Sequence, residues 1–80
     1  MTKIEYGKCE KLMEKAIQNA EDAKMEYNKY ECFLREKEAA KAETEQRKAD
    51  QHIGYADGIN QVLVTLGFKH DRMKELSKLL

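Results

Sequence analysis

The feature that most constrains this chain is an apolar ladder in its first half. Cys9, Met13, Ala16, Ala20, Ala23, Tyr27, Tyr30 and Leu34 follow one another by alternating steps of four and three residues. That spacing is a heptad seam sustained for more than three heptads, and an α-helix is the conformation that lines such positions up on one face. A helix carrying such a stripe has to cover it with another helix. Three consecutive seam positions are alanine, so the two axes can come close. The end that carries Tyr27 and Tyr30 must then overlie smaller side chains. An antiparallel mate satisfies that condition, and a parallel one also fits the spacing. The seam predicts self-association, with a second copy of the chain as the covering helix and a homodimer as the product.

Little interrupts a helix downstream. There is no proline, and glycine occurs only at positions 7, 54, 58 and 67. Residues 36–51, EKEAAKAETEQRKADQ, are nearly all strong helix formers. Glu31 with Arg35 and Glu43 with Arg47 are i,i+4 pairs in the favourable order, and Glu38 with Lys41 and Glu45 with Lys48 add i,i+3 pairs. After Leu34, however, the seam fails, because its next positions are Lys37 and Lys41. Small apolar residues resume as Ala42, Ala49, Ala56 and Leu63, one residue out of phase. Two architectures fit. In one, a single charged helix runs from about residue 3 to 66, roughly 95 Å at the usual rise per residue. In the other, the chain turns back within residues 35–50 as a helical hairpin. Composition favours continuity. The expected fold is all-α: one helical domain over residues 1–80, with a long coiled-coil-like helix, a potential break at 54–58, and a short helix over 70–79.

The stretch YADGINQVLVTLGF, residues 55–68, decides what the C-terminal half presents. On a helix, His52, Tyr55, Ala56, Ile59, Val62, Leu63 and Leu66 share one arc. Gly54, Gly58, Gln61 and Thr65 form a strip of small and polar side chains beside it. The glycines then leave a shallow groove for another backbone. The competing reading makes YADG a turn, with Asp57 capping a short helix. Gly67 follows the last apolar position as a helix-terminating glycine, and Phe68 is expected to fold back onto Leu63 or Val64. Tyr55, Gly58, Ile59, Val62, Leu63, Leu66 and Phe68 are the candidate partner-binding face. Met73, Leu76, Leu79 and Leu80 give the final helix an apolar side.

Composition narrows the function classes. Fifteen basic residues balance fifteen acidic ones, so no global charge draws nucleic acid or anionic lipid. The tail is the exception, where Lys69, Arg72, Lys74 and Lys78 outnumber Asp71 and Glu75. Lys69, Arg72 and Lys74 are candidate phosphate contacts, and a dimeric regulator touching nucleic acid through them is the alternative to a protein-binding module. Cys9 and Cys32 point to different sides of a helix, no CxxC is present, and His52 and His70 lie 18 residues apart. No metal, cofactor or nucleotide motif is expected. The many carboxylates diverge around helices and do not converge on one bond, which argues against an enzyme. The longest apolar run, Val62-Leu63-Val64, is far short of a membrane span. Without a signal-like apolar leader, a cytoplasmic protein with reduced thiols is the expectation. A chain of 80 residues and 38% charge has little core of its own, which adds to the case for a protein partner.

The run Gly58, Ile59, Val62, Leu63, Leu66, Gly67, Phe68 resembles the ending of small helical proteins of bacteriophages and related mobile elements, in which a long charged helix closes on such a glycine-stopped apolar segment. The resemblance covers under a fifth of the chain. It implies a phage-like origin and, with it, an inhibitor of a host defence or regulatory protein, of the anti-CRISPR type, acting in the cytoplasm of a bacterial host. It brings no catalytic residues.

Overall fold

The computed structural model describes all 80 residues as three helices: α1, Lys3–Arg35; α2, Ala39–Thr65; and α3, Met73–Leu79. The chain is therefore a helical hairpin with a short closing helix, and the continuous helix over residues 3–66 does not form. α1 starts at Thr2, whose hydroxyl accepts the Glu5 N–H at 3.1 Å, a regular N-cap. It ends at Glu36. There the Glu38 N–H donates to the Phe33 carbonyl at 2.8 Å and the Lys37 N–H to that of Leu34 at 3.1 Å. This pair of bonds is a Schellman motif, which requires a left-handed residue at its penultimate position. Lys37 takes that role at φ 60°. The sequence offers no glycine there to announce it. The Lys41 ammonium sits 5.8 Å from the centre of the Phe33 ring across the turn.

The reason the chain turns lies in the two out-of-phase stripes. Ala42, Ala49, Ala56 and Leu63 of α2 are fully buried, and so are Met13, Ala16 and Ala23 of α1. A single straight helix would leave both stripes wet. Folded back, each covers the other, and alanine against alanine lets the axes approach closely. The seam's covering helix is thus the chain's own α2, antiparallel, and the second copy expected from the sequence is not needed for it. Coverage fades toward the turn. Tyr27 and Tyr30 are half-buried and Leu34 is exposed.

α2 runs unbroken through Gly54 and Gly58. It ends in a second Schellman motif, with the Phe68 N–H donating to the Leu63 carbonyl and the Gly67 N–H to that of Val64, both at 3.0 Å. Gly67 supplies the left-handed residue at φ 74°, where a Cβ would be strained. Phe68 and Leu63 join one apolar cluster with Cys9, Met13, Ala16, Ile17, Ala20, Ala56 and Leu76. The closing helix begins at Met73, three residues later than the sequence suggests, since residues 69–72 form the connection that swings it back onto α1. Leu76 is its fully buried anchor.

Only 12 of the 80 residues are buried, and six of those are alanines. The molecule is a rod of 52 × 17 × 16 Å. Its radius of gyration, 15.0 Å, exceeds the roughly 11.6 Å of a compact chain of this length. Most side chains are therefore exposed.

Candidate docking site

α3 lies against one flank of α1 and leaves the other open. The closed flank is aromatic and charged. The Tyr6 ring packs at 5.1 Å from Phe68, and the His70 ring stacks on Phe68 at 6.0 Å. The Tyr6 hydroxyl donates to the Lys69 carbonyl at 3.4 Å. His70 accepts the Arg72 N–H on Nδ1 at 3.1 Å, which leaves its ring proton on Nε2 facing Glu10 at 3.1 Å. Arg72 bonds Glu75 at 3.1 Å. Its guanidinium is held above its ordinary range, by Glu75 first and then by the charges of Glu14 and Glu21 on α1. Carboxylates of α1 thus meet the basic end of the chain.

This arrangement divides the candidate phosphate contacts. Arg72 is engaged by acids. Lys69 and Lys74 remain together, bordering a surface hollow with Lys78, His70 and Ser77.

The open flank is apolar. Leu12 of α1 and Gly54, Tyr55, Gly58, Ile59 and Val62 of α2 line a groove of about 450 Å³. It continues through Gly58 and Val62 to Gln61, Thr65 and Leu66. Tyr55, Val62 and Leu66 are each about half exposed or more, at 49%, 53% and 57%, while Leu63 and Phe68 are fully or almost fully buried. The candidate partner-binding set therefore splits. Tyr55, Gly58, Ile59, Val62 and Leu66 form the open groove, whereas Leu63 and Phe68 belong to the internal core. Leu12 completes the groove and does not appear among the candidates read from the sequence. It lies off the α1 seam by one residue, and its proximity to α2 follows from the hairpin.

The glycines are a part of the groove that the fold does not use. A Cβ built on Gly54 or on Gly58 meets no atom within 4 Å. Each costs an α-helix roughly 1 kcal/mol against alanine, and nothing within the chain approaches closely enough to require it.

Two further polar contacts tie the hairpin on its way to the turn. The Tyr27 hydroxyl donates to Asp50 at 2.6 Å, which raises the phenol above its ordinary value, with burial and the Asp50 charge adding smaller contributions. His52 pairs through Nδ1 with Glu26, so this histidine bridges the helices at the edge of the apolar face. Neither partner was legible in the sequence, because the pairs span 23 and 26 residues. Both cysteines are free thiols, Cys9 buried and Cys32 exposed. No group of three or more His, Cys, Asp or Glu side chains is placed to hold a metal ion, and no helix is long and apolar enough to cross a membrane.

No protein-family model, curated protein or solved structure matches this chain.

Proposed function

We propose that the protein is a non-enzymatic interaction module that docks a protein partner in the groove between α1 and α2. One observation carries this reading. The surface lined by Leu12, Tyr55, Ile59, Val62 and Leu66 is apolar and left open by the chain's own packing, and exposed apolar grooves of this kind are typical of interaction sites. Two helix-weakening glycines beside it with no internal purpose support it. The inhibitory role implied by the phage-like ending would operate through the same groove, by covering a surface of the target.

The test is capture from cell lysate with three forms of the protein. The wild type retains a partner. Val62→Glu with Leu66→Glu loses it at unchanged helicity, because both side chains are outside the core. Val64→Glu, an exposed apolar position off the groove that borders the lysine hollow instead, keeps it. The proposal fails when no protein distinguishes the wild type from the double variant.

A second reading rests on Lys69, Lys74 and Lys78 around their common hollow. They are candidate contacts for the phosphates of a nucleic acid. Such binding weakens steeply between low and moderate salt, whereas apolar docking barely changes. A filter-binding titration in 50 and 300 mM salt, with Lys69→Ala and Lys74→Ala as the controls, separates the two.

A further inference from the structure

The charge around the groove says what kind of partner fits it. Lys8, Lys11, Leu12 and Lys15 fall on one stripe of α1 by their spacing of three, one and three. Leu12 lines the groove, so the three lysines stand along that rim. None of them makes an ion pair. Three acids of α1 lie toward α3. Glu10 bonds His70, and Glu14 and Glu21 act on Arg72, all on the α3 side. Two acids remain: Glu5 sits in the first turn of the helix, where the positive end of the helix dipole favours it, and Asp22, a heptad beyond Lys15, accepts from the Gln18 amide at 3.0 Å. Across the groove, residues 51–66 carry one formal charge, Asp57, and its carboxylate accepts from Gln61 at 2.9 Å. The groove therefore has an apolar floor, a wall of glycine backbone and a rim of three lysines that make no ion pair.

From this we infer that the occupant is an acidic amphipathic helix of a partner protein, its apolar face on Leu12, Tyr55, Ile59 and Val62 and its carboxylates on Lys8, Lys11 and Lys15. The inference rests on the docking reading above and adds the partner's shape and charge. The groove from Gly54 to Leu66 follows α2 for about 18 Å, or three helical turns. A straight channel of that length beside two helices matches a third helix. Glycines one turn apart let its backbone come closer than side chains would permit. A second copy of this chain is a poorer occupant. Face-to-face pairing brings a lysine stripe against another lysine stripe or against the nearly uncharged segment 51–66. Opposite charge, in contrast, steers encounter and fixes register.

The experiment selects binders from a displayed library of 20-residue helical peptides. Apolar positions are randomised among Leu, Ile, Phe and Met, and flanking positions among acidic, neutral and basic residues. The inference expects enrichment of Asp and Glu at the flanks. It also expects at least tenfold weaker binding of the selected peptides to the Lys8→Glu/Lys11→Glu/Lys15→Glu variant, and weakening with salt. Gly54→Ala and Gly58→Ala should each stabilise the protein against denaturant while lowering peptide affinity, a combination that damage to the fold cannot produce. Gly58→Leu should block binding. Binders with neutral or basic flanks overturn the charge assignment and leave the docking groove standing. Selection of nothing that prefers the wild type over Gly58→Leu overturns both. Binding to phosphatidylserine vesicles that is lost in the triple lysine variant overturns the helical occupant in favour of a lipid surface.

Discussion

At the scale of single residues, position alone separates side chains of the same type. Leu63 and Leu66 lie three apart on one helix, yet Leu63 is sealed beneath α1 and Leu66 is open to water. Leu63→Glu should therefore abolish the helical circular-dichroism signal, whereas Leu66→Glu should leave it unchanged. The Tyr27–Asp50 bond shows a subtler dependence on placement. Because the folded phenol is raised above its ordinary value near 10, its stabilising effect is fully present below that pH. It is lost as the pH climbs through the raised value, when a phenolate would face the Asp50 carboxylate. Denaturant titrations between pH 8 and 12 should show the wild type losing stability over that window more steeply than Tyr27→Phe. At pH 7 the substitution should cost on the order of 0.5 kcal/mol, since the bond is largely exposed to solvent. Equal pH slopes for the two proteins would remove the bond from the account.

At the scale of elements, both long helices end in the same hydrogen-bond pattern, and only one end is built from the residue that suits it. Gly67 adopts φ 74° without a Cβ to clash, whereas Lys37 adopts φ 60° with one. A non-glycine residue in the left-handed region costs about 1 kcal/mol. Lys37→Gly should accordingly raise stability by up to about that amount in chemical denaturation and leave the helical content unchanged. A loss of stability would mean that the Lys37 side chain contributes something the turn geometry does not reveal. The contrast also explains why one helix stop was readable and the other was not. A glycine followed by Phe68 announces a terminus, whereas LREKEA, residues 34–39, looks like more helix. The turn is imposed by the stripes on either side of it and not by its own residues.

At the scale of the whole molecule, a rod with so thin a core depends on close alanine packing along its length. Ala20 sits in that packing, 1% exposed. Ala20→Glu should abolish cooperative thermal unfolding, as followed by circular dichroism, at every protein concentration, because the helix it faces belongs to the same chain. For the wild type, an unfolding midpoint that does not move with concentration is expected. A midpoint that rises with concentration would show that the seam is shared between chains. The groove, too, is a property of this scale. It exists because α3 closes one flank of the hairpin and leaves the other, and its charge arises because Glu10, Glu14 and Glu21 lie toward α3 while Lys8, Lys11 and Lys15 share the stripe of Leu12.

The sequence by itself determined the helices and their apolar lines: the seam from Cys9 to Leu34, the out-of-phase stripe from Ala42 to Leu63, and the stop at Gly67 with Phe68 behind it. Periodicity carries this information because an α-helix maps spacing directly onto a face. Tertiary structure alone decided what covers each face. Spacing states that a stripe must be buried and is silent on whether the mate is another molecule or the same chain turned at Lys37. For the same reason Leu63 and Phe68 became core, Leu12 became part of the groove, and Glu26 found His52 across the hairpin. Each of those outcomes depends on distances between residues far apart in the chain, which helical periodicity does not encode.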